Sequence, residues 1–250
     1  KQGDKVIHTG WGVGHERWGG YAEKMTSNGE WLVKLPKNLN TRQAMIIGTA
    51  GFTAMLAIQA IEEKGITQES GEILVTGATG GVGSMALYFL SELGYNVVAS
   101  TGKTAEHQFL RDLGAKRILS RGELAEQETT VLEDEKWVGV VDCVGSTTLV
   151  NAISQLKSFG CAAACGFVGG ADVPLNIMPF LVRGVSLVGI NSLQCPLEVR
   201  KKTWNRISKL VNPEKLDSMA KDISLEELPD FGKQILAGKI RGRVVVKVAD

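Results

Sequence analysis

Six residues, Ala78-Thr79-Gly80-Gly81-Val82-Gly83, form a turn of small side chains between an apolar run, Ile73–Thr76, and a segment of helical period, Val82–Leu93. Such a turn lets backbone N–H groups come close to a ligand, and the helix start adds unpaired donors and the positive end of its dipole. The chemistry this favours is a grip on a pyrophosphate. Gly80 allows close approach, Gly83 allows tight helix-on-strand packing, and alanine takes the first glycine place of the dinucleotide fingerprint. In that fingerprint an acid that holds a ribose hydroxyl is expected about 20 residues further on. Here the stretch reads Ala99-Ser100-Thr101-Gly102-Lys103. A carboxylate there would repel a phosphate on the adenosine sugar, whereas hydroxyls and a cation hold one by charge-assisted hydrogen bonds. Ser100, Thr101 and Lys103 therefore favour NADPH over NADH, and Arg121, closing the next apolar run, is placed to reach the same phosphate.

These residues need a scaffold, and the chain supplies an alternating one. Ile73–Thr76, Val97–Ala99, Arg117–Leu119, Val138–Asp142, Gly160–Cys165 and Val185–Ile190 read as strands. Val82–Leu93, Ala105–Leu113 and Thr148–Leu156 read as intervening helices. This is the α/β signature of a doubly wound parallel sheet with helices on both faces, of Rossmann type. Before it, "GDKVIHTG" and "GEWLVKLP" are strand-like pieces around a loop, "GWGVGHERWGG", as in part of a small β domain. Thr41–Glu63 reads as a helix capped by Thr41. After the sheet, Glu198–Val211 and Leu225–Leu236 are amphipathic, the second with Ser224 and Glu227 as a capping box, and "GRVVVKV" closes the chain as a strand returning to the first β domain.

Composition sets bounds. The 250 residues allow one large or two medium domains, and 44% hydrophobic with 22% charged residues is ordinary for a globular protein. A net charge of +1 with only 6% aromatic residues argues against nucleic-acid partners. Ala44–Ile61 lacks charge but carries Gly48, Thr49, Gly51, Thr53 and Gln59, and is expected to be a buried helix and not a membrane span. Cys143, Cys161, Cys165 and Cys195 form no C-x-x-C pair, which suits a reducing, cytoplasmic setting better than a disulfide framework. No set of cysteines has the spacing of a structural zinc lobe, and "GHE" at Gly14-His15-Glu16 does not make a catalytic zinc site, so no metal is expected. Cys143 and Cys165 end strands, where the bland reading is small apolar filling, with no base assignable to activate either. "KQGDKVI" reads as a turn entering a strand, so the chain is expected to begin inside a domain.

The strings "WGGYAE", "IIGTAGFTAMLAI", "GEILVTGATGGVG", "DCVG", "GCAAACG", "MPFLVRGVSLVGINS" and "GRVVVKV" together resemble the zinc-independent medium-chain dehydrogenase/reductases. The resemblance spans the whole chain and is strongest to the acryloyl-CoA reductase branch, also called YhdH/YhfP-type quinone oxidoreductases. It implies part of a GroES-like catalytic domain at 1–47, a Rossmann cofactor-binding domain at 48–204 and a return to the catalytic domain at 205–250, with the family's N-terminal catalytic segment missing. It implies that Thr79, Gly80, Gly81 and Val82 hold the pyrophosphate and that Thr101, Lys103 and Arg121 hold the adenosine phosphate. By the same resemblance Val144 and Gly145 line the adenine or ribose side, and Gly166, Phe167, Ile190 and Asn191 border the nicotinamide half. Arg243 would close over the cofactor, and Thr49 and Thr53 would bond its nicotinamide end as candidate catalytic residues. The expected activity is NADPH-dependent reduction of an activated C=C bond, acryloyl-CoA to propanoyl-CoA. The alternatives are a quinone acceptor or, in another class, a non-catalytic NADPH-binding sensor. A homodimer is expected, with "GVSLVGINS" as an edge strand pairing with its copy.

Overall fold

The computed structural model describes residues 1–126 and 130–249. The chain opens with two short antiparallel strands, β1 (Val6–Ile7) and β2 (Val33–Lys34), and a long helix, α1 (Thr41–Glu62). Then come β3 (Glu72–Val75), α2 (Gly81–Glu92), β4 (Asn96–Thr101), α3 (His107–Asp112), β5 (Arg117–Ser120) and α4 (Gly122–Ala125). The alternation continues with β6 (Trp137–Asp142), α5 (Ser146–Ser154), β7 (Leu156–Ala164), α6 (Met178–Val182) and β8 (Ser186–Gly189). Last are α7 (Leu197–Leu210), α8 (Pro213–Ser218), β9 (Ala220–Ser224), α9 (Leu228–Leu236) and β10 (Arg243–Lys247). Two compact units result, one of residues 1–52 with 191–250 and one of residues 53–190.

In the second unit six parallel strands lie in the order β5-β4-β3-β6-β7-β8. The chain enters at β3, steps outward to β5, then returns to β6 on the other side of β3, so the switch point lies between β3 and β6. The central strands β3, β4 and β6 are buried almost throughout, which is why they read as apolar runs. The register sets Leu74 beside Val98 on one side and Val140 on the other, with Ala162 beside Val140. All four are fully buried and share one core with Trp137, Leu149 and Ile153. Complete burial of each large member of this row contributes ~1.5–3 kcal/mol. The expected helix Ala105–Leu113 resolves into a single 3₁₀ turn, Thr104–Glu106, followed by α3.

In the first unit α1 is capped one residue earlier than expected. Asn40 and Gln43 exchange bonds, Gln43 N–H to Asn40 Oδ1 at 2.8 Å and Asn40 N–H to Gln43 Oε1 at 3.0 Å. This reciprocal box satisfies two otherwise orphaned donors, which Thr41 could not do alone. The helix breaks at Gly48, with φ 50° and ψ −154°, a conformation that side chains with a Cβ avoid. Within the same unit Arg243 Nε donates to the Ile46 carbonyl at 2.8 Å, and burial lowers the pKa of its guanidinium. Among the described residues α1 alone has the length and apolarity of a membrane span, and 72% of its apolar window is buried inside the protein.

β10 returns to the first unit, as the sequence suggested, but not by pairing with β1 or β2. It pairs in parallel with β9, a strand whose polar sequence, AKDIS, gave no sign of itself. The C-terminal segment nevertheless belongs to the first unit, held there by Arg42 bonded to Asp217 and Asp222. α7 belongs to this unit as well, so the return begins at residue 191 where 205 was expected. The reason is packing: Trp204 stacks on Phe52, and the fully buried Arg200 bonds Thr9 Oγ1 at 2.9 Å and lies over the Phe52 ring. The anticipated box before α9 is half made. Ser224 N–H donates to Glu227 Oε2 at 2.8 Å, but Ser224 ends β9 and the helix starts only at Leu228.

Candidate functional site

The carboxyl ends of β3, β4, β6 and β7 meet around the switch point, where doubly wound sheets bind ligands. The turn after β3 is shaped by close contact. Gly80 N–H donates to the Gly77 carbonyl at 2.9 Å, and Ala78 N–H to the Ser100 carbonyl at 3.1 Å. A Cβ on Gly83 would lie 2.4 Å from the Gly77 carbonyl oxygen and 2.8 Å from the Ala78 Cα, so the helix can sit this close to the turn only with glycine there. α2 begins at Gly81, and its cap residue Gly80 offers no side chain to the first N–H groups. A helix start with open backbone donors, dipole-positive and free of acids in its first turn, fits a pyrophosphate.

Beside it, the end of β4 gathers the groups expected to select the adenosine sugar. Thr101 Oγ1 lies 3.4 Å from Thr79 Oγ1 and accepts the Lys103 N–H at 3.1 Å. Arg121 N–H donates to the Thr101 carbonyl at 2.9 Å. Arg121 is exposed, and its guanidinium packs against Gly102, with Cζ and Nε 3.2 Å from where a Cβ would stand. Thr79, Thr101, Lys103 and Arg121, distant in sequence, are thus neighbours. Ser100 is buried in the strand, and side-chain alternation turns its hydroxyl to the face opposite Thr101.

On the other side of the switch point lies a device the sequence reading missed. Asp142, fully buried at the end of β6, accepts Thr76 Oγ1–H at 2.6 Å and Gly145 N–H at 2.8 Å. Thr76 Oγ1 in turn accepts Cys143 N–H at 3.0 Å. Burial raises the Asp142 pKa, with the bonds from Thr76, Gly145 and Val144 opposing. The bridge ties β3 to β6 and fixes the Val144–Gly145 turn. An acid inside the apolar run "VGVVDCVG" was the available signal. Val144 and Gly145 follow β6, and Gly166 and the exposed Phe167 follow β7, so all four stand at the same end of the sheet. Ile190 extends β8 through its N–H to the Ala164 carbonyl at 2.9 Å.

The remaining expected residues fall elsewhere in the fold. Asn191 uses Oδ1 to accept the N–H groups of Leu193 and Gln194 in a tight turn of the first unit. Arg243 is engaged at the α1 break. Thr49, exposed, directly follows that break, and the buried Thr53 lies one helical turn on. His15 and Glu16 sit in a tight exposed loop closed on the Gly12 carbonyl. Among the described residues no three His, Cys, Asp or Glu side chains come together as a metal site would require. A cavity of ≈ 370 Å³ is lined by Arg117 and Leu119 of β5, Glu123 and Leu124 of α4, and Lys136 and Trp137 at the start of β6, none of them an expected site residue.

The sheet order and the glycine turn define a dinucleotide-binding dehydrogenase fold. The family described as zinc-binding dehydrogenase matches residues 81–211. The acrylyl-CoA reductase AcuI of Ruegeria pomeroyi is 48% identical over 99% of this chain and 75% of its own. YhfP of Bacillus subtilis, provisionally named a quinone oxidoreductase, is 43% identical over the same shares, and its structure, solved with NAD bound, superposes with a TM-score of 0.95. The structure of Escherichia coli YhdH with bound NADPH is 46% identical, covers 99% of this chain and 76% of its own, and has a TM-score of 0.96. The chain belongs to the medium-chain dehydrogenase/reductase family, in its acrylyl-CoA reductase branch, and spans about three quarters of the length of these relatives.

Proposed function

We propose that this protein reduces the C=C bond of a short α,β-unsaturated acyl-CoA thioester with NADPH, converting acryloyl-CoA to propanoyl-CoA. One observation carries the reading of this chain: Thr101, the Lys103 backbone and the Arg121 guanidinium gather beside an uncapped helix start, with no carboxylate at the end of β4. The relatives' names and the NADPH in the YhdH structure support it. When bound, the reduced dinucleotide supplies the hydride that adds to the β-carbon, while a proton from water or a side chain goes to the α-carbon. The α2 N–H groups hold the pyrophosphate, and Thr101, Lys103 and Arg121 hold the 2′-phosphate. Val144, Gly145, Gly166, Phe167 and Ile190, at the same end of the sheet, border the remainder of the cofactor. The developing enolate oxygen needs donors in place beforehand, the term expected to dominate the rate. The hydroxyls of Thr49 and Thr53 are candidates for that task.

The B. subtilis relative's name favours a quinone as second acceptor class. A steady-state comparison decides among the readings. Acryloyl-CoA turned over with NADPH at higher kcat/KM than with NADH supports the proposal. Quinone reduction without thioester turnover selects the second acceptor. Tight NADPH binding with no oxidation by either makes the protein a sensor. We further propose a homodimer built on β8, whose outer edge has no partner strand among the described residues and whose Leu187 is exposed, as are Leu181 and Val182 on α6. Four free thiols support a reducing, cytoplasmic setting.

A further inference from the structure

We propose that Cys143 and Cys165 form a redox-modification site, a dithiol that closes to an intramolecular disulfide and whose closure opposes nucleotide binding. The second half rests on the dinucleotide reading of the crevice. β6 and β7 pair in parallel with Asp142 beside Ala164, so the next residue of each strand places the two cysteines side by side. Their sulfurs are 3.8 Å apart and both residues are partly exposed. Cys165 is held in position by its N–H and its thiol, both directed at the Asp142 carbonyl, at 2.8 and 3.2 Å. Neighbouring parallel strands lie about 4.8 Å apart, inside the roughly 4.4–6.8 Å range of Cα separations that a disulfide bridges. The other two cysteines are buried, Cys161 within β7 and Cys195 before α7, so they make an internal control.

The coupling to nucleotide follows from what the pair touches. The Cys143 Cβ packs 3.4 Å from the position of a Cβ on Gly77, the residue that opens the glycine turn. The Cys143 carbonyl lies 2.6 Å from where a Gly166 Cβ would stand, and Val144 and Gly145 follow directly. Drawing the two sulfurs to bonding distance moves Cys143 away from the glycine turn and towards β7, and shifts the backbone on both sides of the crevice. The contact with Cys165, burial and the nearby Asp142 push the Cys143 thiol up. With a hydroperoxide, one sulfur attacks the O–O bond, expels hydroxide or alkoxide and becomes a sulfenic acid. The second sulfur attacks the first, the S–O bond breaks and water leaves. The two thiols lose two electrons and two protons, and the peroxide is reduced to water and an alcohol or a second water.

The test uses the whole chain, reduced and then treated with hydrogen peroxide. Peptide mapping reads the linkage, and NADPH fluorescence titration reads affinity before treatment, after it, and after dithiothreitol. A Cys143–Cys165 linked peptide, an affinity for NADPH lowered by about tenfold or more, its recovery on reduction, and slower linkage in saturating NADPH are expected. Cys143→Ser and Cys165→Ser should form no link and keep their affinity through the treatment. Absence of the linked peptide overturns the site, and a linked protein with unchanged affinity overturns the coupling. Failure of the reduced protein to bind NADPH would count instead against the dinucleotide reading, since the linked peptide is scored without nucleotide.

Discussion

At the residue scale, selectivity and support are separate tasks. Arg121→Ala and Lys103→Ala each remove a cation from the proposed 2′-phosphate site. Each should raise KM for NADPH by roughly 10- to 100-fold, the equivalent of one charge-assisted bond, and leave KM for NADH nearly unchanged. An equal loss for both cofactors would place the cations outside that role. Asp142 has a different task. Its pKa is raised in the fold, so its contribution to stability is present below the ordinary carboxylate pKa and is lost as pH rises through the folded value. Asp142→Asn mismatches a donor against Gly145 or Thr76 and should cost about 1–3 kcal/mol in denaturant unfolding. Because the variant cannot titrate there, its deficit relative to wild type should narrow as pH is raised from acid towards neutral. A deficit that widens would mean the buried carboxylate is stabilised by its charge.

At the element scale, the junction of β3 and α2 is fixed by backbone contact. Gly83→Ala sets a methyl against the Gly77 carbonyl and the Ala78 Cα, neither of which can rotate away. Overpacking of this kind should cost ~1–3 kcal/mol, and the displaced turn should weaken NADPH binding more than it lowers the urea midpoint. Equal stability and affinity to wild type would show that the helix start has slack. This junction was legible in the sequence because strand, small-residue turn and helix follow one another locally. The Asn40–Gln43 box was passed over in favour of Thr41, although an amide at the cap with Gln three residues on follows a known capping pattern. β9 was not legible: Lys221 and Asp222 are poor strand formers, and only pairing with β10 makes that segment extended.

At the scale of the whole molecule, the contacts hidden from the sequence are those created by strand order. Thr76 meets Asp142 because β6 returns to lie beside β3, and Cys143 meets Cys165 because β7 then pairs with β6 in a particular register. Alternation of β and α announces a parallel sheet but not which strands are neighbours. The proposed dimer is likewise a property of an edge. Leu187→Lys on β8 should convert a dimer to monomer in sedimentation velocity with native circular dichroism, whereas an unchanged sedimentation coefficient would remove β8 as the interface.

The central position of β3 bears on how quickly the molecule can engage its ligand. This strand has parallel partners on both flanks and its residues Ile73, Leu74 and Val75 are inaccessible to solvent, so its amides should be among the last to take up deuterium. The proposed phosphate cradle is hung from the end of that strand. Its shape should therefore be set before any anion arrives, and association should proceed in a single kinetic phase whose rate is proportional to nucleotide concentration.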